Sequence, residues 1–418
     1  MEQNPVSFSK RPGKDFSRKS KLSFAKTVSI LLAMQGKTIS DELLNFFDYK
    51  LDTPSASAFV QARNKLARNT MQTLFHRFVS ASEVHETYKG FRLLAADGSE
   101  FSVPQSKDAL HLNAVYDIQN NIYVDSIVEN VKVCDEQSAL TQMIDRSEIK
   151  TAIILADRGY ESYNTLAHAQ EKGWKFLFRV KDGIGGIVSG LEVPNTEEFD
   201  LKFDLKLTFR QNKSLKNDKN VRKLHSAHRF DFLTLEQAKK TPIEFFNLSF
   251  RVIRLKISDK TIETLITNLD FPPDELKKLY NMRWGIETSF RDLKHTLKTM
   301  KFHSKSLEYA RHEIFAGLIM YNFSALISSQ TVLKNRKGKH IYKPNFSCVI
   351  KISLKYFLNK LTLSEVEKLI EKFILPVRKG RSNPRKIFPK VKESFMYSLQ
   401  RKSQGIFYKN LMFRFLIW

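Results

Sequence analysis

Two short apolar stretches of this chain, residues 91–96 and 151–156, each run directly into an aspartate, Asp97 and Asp157. Stretches of this length and composition predict β-strands that are buried on both faces of a sheet. A carboxylate that follows such a strand lies at the sheet edge where α/β proteins bind their ligands. Because carboxylates from neighbouring strands can hold a hard cation, the sequence predicts an acidic site at this edge.

The segments around these two strands alternate between strand-like and helix-like patterns. Further strands are predicted at 114–118, 122–128 and 174–180, and helices at 138–146 and 162–172. This order predicts an α/β fold with a mixed sheet. Beyond it, residues 182–272 are predicted to form a β-rich insertion with a basic loop at 210–229; its strands are expected at 201–209, 229–233, 250–257 and 261–267.

Charge indicates the class of partner. The 418 residues include 69 Lys and Arg against 44 Asp and Glu, a net charge of +25, which favours a polyanion such as nucleic acid. Helical patterns are predicted at 22–34, 41–47 and 55–78, and basic residues lie within or before them. We favour a DNA-contacting role for these basic residues over an ordinary solvated helix face. These residues are Arg11, Lys14, Arg18, Lys19, Lys21, Arg63, Lys65 and Arg68.

Two cysteines far apart, Cys134 and Cys348, exclude a disulfide framework and a zinc site of the usual spacing, and fit a reducing cytoplasm. The N-terminal residues are polar and basic, so no secretory signal is expected. Residues 314–333 carry no charge over a length that could span a bilayer. Their dense polar groups favour a buried core helix over a membrane span, which remains the lesser alternative.

A long helix is predicted from Pro272 towards His295. On a continuous helix, at roughly 100° per residue, four of its polar side chains fall within a sector of about 60°, beside an apolar stripe. They are Tyr280, Arg283, Glu287 and Lys294. A carboxylate flanked by two cations and a phenol suits a metal ion and a phosphodiester.

Three motifs together resemble the DDE transposases of bacterial insertion sequences, in the branch called insertion-sequence family four. The motifs are Asp97-Gly-Ser, Asp157-Arg-Gly-Tyr160 and the spaced Tyr280, Arg283, Glu287 and Lys294. The resemblance implies an RNase H-like fold and cut-and-paste transposition. It also implies a triad of Asp97, Asp157 and Glu287 that binds two Mg²⁺ ions, for which Mn²⁺ substitutes.

In the same family, Tyr280, Arg283 and Lys294 would hold the DNA strand, and Arg158 would contact a phosphate. Trp284 would pack in the core or stack a base, and packing is favoured. The implied partners are terminal inverted repeats, target DNA and a second copy of the chain on paired ends, in a cytoplasmic, nucleoid-associated protein. A catalytically silent DNA-binding protein derived from a transposase is the alternative.

The resemblance divides the chain into five segments. They are a helical DNA-binding domain (1–85), the first part of the catalytic domain (86–181), the β-rich insertion (182–272), the second catalytic part with the Glu-bearing helix (273–335) and a basic, mostly helical C-terminal region (336–418), in which 378–390 is expected to contact DNA.

Each acidic residue also has a simpler interpretation. Asp97 with Gly98 is a common turn pair, Asp157 can cap the next helix, and Glu287 can form an i, i+4 ion pair with Arg283. The joint occurrence of all three in the family's order favours the site.

Overall fold

The computed structural model describes residues 8–183, 185–213, 215–236, 242–258, 261–297, 301–331 and 341–377. Their contacts form two compact units. The first draws its described residues from Met1–Ser82, Glu100–Leu110 and Arg291–Trp418, and the second consists of Glu83–Ser99 and His111–Phe290. This division differs from the five predicted segments, because the N-terminal helices share a unit with helices that follow residue 291. The predicted basic contact at 378–390 lies outside the described residues.

Nine strands of the described residues form one sheet in the order β3-β2-β1-β4-β5-β9-β8-β6-β7. They are β1 (Arg92–Ser102), β2 (Ala109–Asp117), β3 (Ile122–Asn130), β4 (Ala152–Ala156), β5 (Lys175–Val180), β6 (Phe199–Thr208), β7 (Val221–Lys223), β8 (Phe246–Ser258) and β9 (Thr261–Thr267). Strands β1, β4 and β5 are parallel, with Leu94 opposite Ile154 and Leu155 opposite Leu177. Strand β9 runs antiparallel to β5, so the prediction of an α/β fold with a mixed sheet is confirmed.

The strands of the predicted insertion continue the same sheet, since β9 pairs with β5 and β8 pairs with both β9 and β6. The strand predicted at 229–233 is wrong: these residues form an irregular segment and a turn. Their apolar alternation arises because Phe230 and Leu233 are buried in the core, while Asp231 bonds Arg229 and Asn164.

Alternate residues of the central strands serve two different cores. Ile154 and Ala156 of β4 pack in the core that contains α5 (Glu136–Arg146) and α6 (Tyr163–Glu171). Ile153 and Leu155 pack instead with α7 (Pro273–Met282). Helices on both faces explain why β4 is apolar throughout, with every residue buried.

The first unit is helical. Its described helices are α1 (Phe24–Ala33), α2 (Ile39–Phe46), α3 (Ala56–Arg63), α4 (Thr70–Ser80), α9 (Leu307–Gln330), α10 (Phe346–Phe357) and α11 (Leu363–Lys372), with a short two-stranded sheet of β10 (Tyr342–Pro344) and β11 (Ile374–Pro376). The helix predicted at 55–78 is two helices, separated at 64–69. Helices α1, α4 and α10 pack against α9, most of whose residues are buried. The core-helix prediction for 314–333 is therefore confirmed over its described part, and no described helix is long and apolar enough to cross a membrane.

A buried ion cluster ties α9 to the N-terminal helices within the first unit. Glu313 lies 3.4 Å from Arg63 Nη1 and 2.9 Å from His303 Nδ1, and His303 Nε2 lies 3.6 Å from Glu42 Oε1. Burial alone would lower the pKa of His303, but the charges of Glu313 and Glu42 outweigh it and raise this pKa to about 10. Arg63 is 3% exposed, so the prediction that it lies on a DNA-contacting face is wrong.

We expect His303→Gln to lower the free energy of unfolding by about 3–5 kcal/mol at pH 6, because it leaves buried Glu42 without its cation and Glu313 with Arg63 alone. The folded-state pKa of His303 is raised above its ordinary value of 6.5 to about 10. Its contribution is thus fully present below pH 6.5 and is lost as the pH rises through 10. Urea unfolding of both proteins should give a stability difference that shrinks between pH 6 and 10; a constant difference would contradict this assignment.

Candidate active site

Asp97 lies inside β1, two residues beyond Ala95, the last β1 residue with a registered partner on β4. The prediction that the strand ends before Asp97 is wrong, because β1 continues to Ser102. The turn interpretation of Asp97-Gly98 fails for the same reason. The Asp97 side chain is 22% exposed, and its Oδ1 accepts a hydrogen bond from Gly98 N at 2.9 Å.

Asp157 directly follows β4 and begins a single 3₁₀ turn, Arg158–Tyr160, as the sequence pattern predicted for a strand end. Its Oδ1 accepts from Gly159 N at 2.8 Å, so the capping interpretation describes one of its contacts. Helix α6 begins separately, capped by Ser162. Asp157 and Asp97 line the same open cavity, of about 470 Å³, together with Glu136, Gln137, Arg158, Gly159, Glu161, Lys181 and Gly185.

Glu287 lies on α8 (Trp284–Arg291), which is separated from α7 by Arg283. The predicted continuous helix is therefore interrupted: i→i+3 bonds tighten the backbone on both sides of Arg283, and the turn Asp292–Thr296 is π-helical. The predicted 60° sector assumed an unbroken helix, and the tighter turn changes the direction of each side chain after Arg283.

The Arg283 guanidinium connects two of the predicted triad residues. Its Nη2 lies 3.1 Å from Glu287 Oε1, the predicted i, i+4 pair, and its Nη1 lies 3.5 Å from Asp97 Oδ2. The side chain is only 6% exposed. A nearly buried cation between two carboxylates offsets their repulsion and fixes the distance between α8 and β1.

The electrostatic field of the site is negative. Burial raises the pKa of Asp97 to about 6, and the charges of Glu287 and Asp157 act in the same direction, against Gly98 N–H and Arg283. Burial also raises the pKa of Tyr160 well above its ordinary value, reinforced by Glu136, Asp97 and Asp157. Such a field favours the binding of an added cation beside Asp97 and Asp157.

The chemistry of the donors decides which cation suits the site. Asp97, Asp157 and Glu287 offer only carboxylate oxygens, the hard ligands that Mg²⁺ and Mn²⁺ prefer. In the parts of the chain that the structure describes, no three Asp, Glu, His or Cys side chains lie close enough to hold a metal ion as they stand. Arg283 supplies the positive charge between Asp97 and Glu287 in this arrangement. The donor set therefore fits a hard divalent cation in charge and atom type.

The residues predicted to contact DNA have different surroundings. Tyr280 is 4% exposed and packs in the α7 core, with Arg283 5.8 Å from its ring centre, and burial raises its pKa. Arg158 is exposed and lines the cavity. Lys294 lies in the first unit, where its Nζ donates to the Glu100 carbonyl at 2.9 Å and lies 4.8 Å from the Phe101 ring centre. The structure thus places Arg158 at the surface of the cavity, and it places Tyr280 in the core rather than at a surface that DNA could reach.

The position of Trp284 differs from the one favoured from the sequence, which was packing in the core. Its side chain is 49% exposed, so it is not packed in the core as favoured from the sequence. The helix interruption at Arg283 accounts for this, because it redirects the first residue of α8. The Arg283 guanidinium lies 5.7 Å from the Trp284 ring centre, which leaves an aromatic surface beside the site.

Glu136 and Lys181 line the cavity and were not identified from the sequence. Glu136 follows Asp135 at the start of α5, where acidic residues are common because they offset the helix dipole. Lys181 precedes a glycine-rich turn and is one of the many basic residues of this chain. Neither position carries a local pattern that separates it from ordinary surface charge.

Comparison with known proteins identifies the family. The family model of the transposase DDE domain matches residues 88–323, more than half of the chain. The chain belongs to the DDE transposases. The matched range contains Asp97, Asp157 and Glu287, together with the cavity that the first two line.

Seven chains of solved structures also match this DDE transposase. One is the piggyBac transposase in a synaptic complex with hairpin DNA, solved by cryo-electron microscopy. The two chains are 11% identical in sequence and superpose with a TM-score of 0.43. The alignment covers 94% of this chain and 84% of the piggyBac chain. That similarity is too low to assign fold or function. No curated protein matches the sequence.

Proposed function

We propose that this DDE transposase is a member of insertion-sequence family four that cuts DNA at the ends of its element and joins the freed 3′ ends to target DNA. The observation that carries the proposal is the arrangement of the three acidic residues. Arg283 links Asp97 to Glu287, and Asp157 lines the same cavity as Asp97. The order and spacing of the Tyr280, Arg283, Glu287 and Lys294 motif support the branch assignment.

The proposed fold of the catalytic part is RNase H-like. Support comes from the match to the transposase DDE domain and from the parallel strands β1, β4 and β5: β1 contains Asp97, and Asp157 directly follows β4. In this arrangement the two carboxylates come from neighbouring strands, and Glu287 comes from a helix that follows the insertion.

The proposed chemistry assigns each residue a task. When bound, two Mg²⁺ ions, or Mn²⁺ in their place, would activate a water or a 3′ hydroxyl and stabilise the leaving oxygen. Asp97, Asp157 and Glu287 would hold these ions. Arg283 would hold Asp97 and Glu287 in register, and the exposed Arg158 would bind phosphate oxygens at the cavity. Tyr280, buried beside Arg283, would support that side chain rather than reach DNA itself.

The proposed DNA partners are the terminal inverted repeats and the target. Exposed cations of the N-terminal segment, Lys14, Arg18, Lys19 and Arg68, support end binding, and Lys294 of the signature motif would contact the DNA strand. Two ends must be paired before joining, so we infer a homodimer on DNA. Trp284, half exposed beside Arg283, would stack a base rather than pack.

Cleavage of end DNA tests the proposed function directly. A duplex carrying the element's terminal repeat should be nicked at the repeat boundary with Mg²⁺ or Mn²⁺ present and should stay intact in EDTA. Binding to the repeat without cleavage under any divalent ion would instead favour the catalytically silent DNA-binding protein. A duplex of scrambled repeat sequence is the control for non-specific nicking.

Salt should weaken DNA binding steeply. With about 6–10 phosphate contacts, the affinity for duplex DNA is expected to fall about 10³–10⁵-fold between roughly 50 and 200 mM salt. Lys19→Gln should reduce the slope of log affinity against log salt by about one. Lys219→Gln is the matched control, since Lys219 pairs with Glu192 at 2.6 Å on the insertion. Equal slopes for the Lys19→Gln and wild-type proteins, measured by fluorescence anisotropy, would remove Lys19 from the DNA interface.

A further inference from the structure

Glu136 lies beside both segments that carry the predicted catalytic aspartates, strand β1 with Asp97 and the turn after β4 with Asp157. It is the first residue of α5, and it lines the cavity with Asp97 and Asp157. A Cβ added to Gly98 would lie 2.6 Å from Glu136 Oε1, and one added to Gly159 would lie 3.3 Å from Glu136 Oε2. The two oxygens of this carboxylate therefore face the glycine that follows Asp97 and the glycine two residues after Asp157.

His111 lies behind this carboxylate. It comes from β2, it is 9% exposed, and its Nε2 lies 3.1 Å from Glu136 Oε1. Nε2 makes no aligned hydrogen bond within the described part of the chain. A Cβ added to Gly98 would also clash with His111 Nε2. A buried imidazole nitrogen thus points at the Glu136 carboxylate from the side of β1 and β2.

Glu136 is not needed to cap the N-terminus of α5. Asp135 is the N-cap residue, and its Oδ1 accepts from Gln137 N at 3.1 Å and from Ser138 N at 3.2 Å. Glu136 remains 39% exposed towards the cavity, although its neighbours already include Asp97 and Asp157. With Asp97, Asp157 and Glu161 it makes four carboxylates in a cavity lined, among the residues that the structure describes, by only two cationic side chains, Arg158 and Lys181, so a bound cation would offset the remaining repulsion.

We propose that Glu136, oriented by His111, is a fourth carboxylate of the metal site and strengthens the binding of divalent cations beside Asp97 and Asp157. The inference rests on the proposed function, since it adds a ligand to the triad assigned there. His111 is a positioning residue, because it acts through Glu136 by limiting the orientations of the carboxylate. Supporting groups of this kind typically change metal affinity by about 10–100-fold.

The test measures Mn²⁺ binding to the full chain without DNA. Electron paramagnetic resonance detects the free ion, and the bound fraction is the difference from the total. Glu136→Gln should weaken Mn²⁺ binding about 10–100-fold. Asp135→Asn is the matched control: it removes the same charge one residue away and keeps a good N-cap, so its Mn²⁺ affinity should equal that of the wild type. Thermal unfolding of both variants without metal reports whether either substitution acts through the fold.

A double-mutant cycle tests the link to His111. His111→Leu should weaken Mn²⁺ binding in the wild-type background and have no further effect in Glu136→Gln, because it acts only through that carboxylate. Equal Mn²⁺ affinity of Glu136→Gln and wild type would overturn the role of Glu136 while the proposed function stands. Wild-type protein that binds no Mn²⁺ would overturn both. Additive effects of the two substitutions would remove His111 from the proposal.

Discussion

Asp157→Asn is expected to abolish metal-dependent cleavage of end DNA while DNA binding survives. The loss should reach about three orders of magnitude, because a metal-binding carboxylate supports several kcal/mol of charge stabilisation and each ~1.4 kcal/mol changes the rate tenfold. The fold should be retained, since asparagine also serves as an N-cap and can accept the bond from Gly159 N. Asp97→Asn and Glu287→Gln should behave in the same way.

The measurement is single-turnover cleavage of a labelled end duplex, with binding followed on the same duplex in EDTA. Asp270→Asn serves as the matched control, because that exposed aspartate pairs with Lys202 away from the cavity. Cleavage by the Asp157→Asn protein at the wild-type rate would remove this residue from the triad. Loss of binding together with cleavage would point to a damaged fold rather than to lost chemistry.

Gly98→Ala is the second substitution with a large expected effect. The new Cβ would overlap His111 Nε2 and lie 2.6 Å from Glu136 Oε1, so the His111 and Glu136 side chains must move away from β1 beside Asp97. We expect stability to fall by about 1–3 kcal/mol, as for other overpacked sites, and cleavage to fall further than stability explains. The reason is that both displaced side chains lie beside Gly98, the residue that follows Asp97 in the site.

Gly285→Ala provides the contrast in the same unit. Its Cβ would lie 3.5 Å from Ile118, an ordinary contact, in the first turn of α8. Alanine at a helical glycine is expected to stabilise by about 0.4–1 kcal/mol. Calorimetry of both variants should therefore give shifts of opposite sign. A Gly98→Ala protein as stable and active as wild type would show that the space beside Glu136 is not restrictive.

Local sequence predicted most of the central elements. Strands β4 and β5 and helices α5 and α6 lie within a few residues of their predicted bounds, because apolar runs and capping residues act over short distances. The false strand at 229–233 has the same origin. The apolar residues Phe230 and Leu233 are buried, which explains the strand-like pattern of this segment. Burial alone, however, does not supply a neighbouring strand for the backbone to hydrogen-bond with.

The candidate site was predicted in part. The motifs that carry Asp97, Asp157 and Glu287 are visible in the sequence, and these residues remain the proposed triad. The break at Arg283 and the exposure of Trp284 were not predicted, because a helical pattern of apolar residues continues across that position. The burial of Arg63 was missed for a similar reason: its partner Glu313 is 250 residues away.

The sequence by itself determined the α/β order, the acidic residues after two apolar strands and the family motifs, since each depends on neighbours along the chain. Only the tertiary structure decided which charges meet. Arg283 lies between Asp97 and Glu287, and Glu136 faces the glycines beside both aspartates. These contacts join residues from different strands and helices. They form because helices pack on both faces of the sheet and so bring these residues to one edge of it.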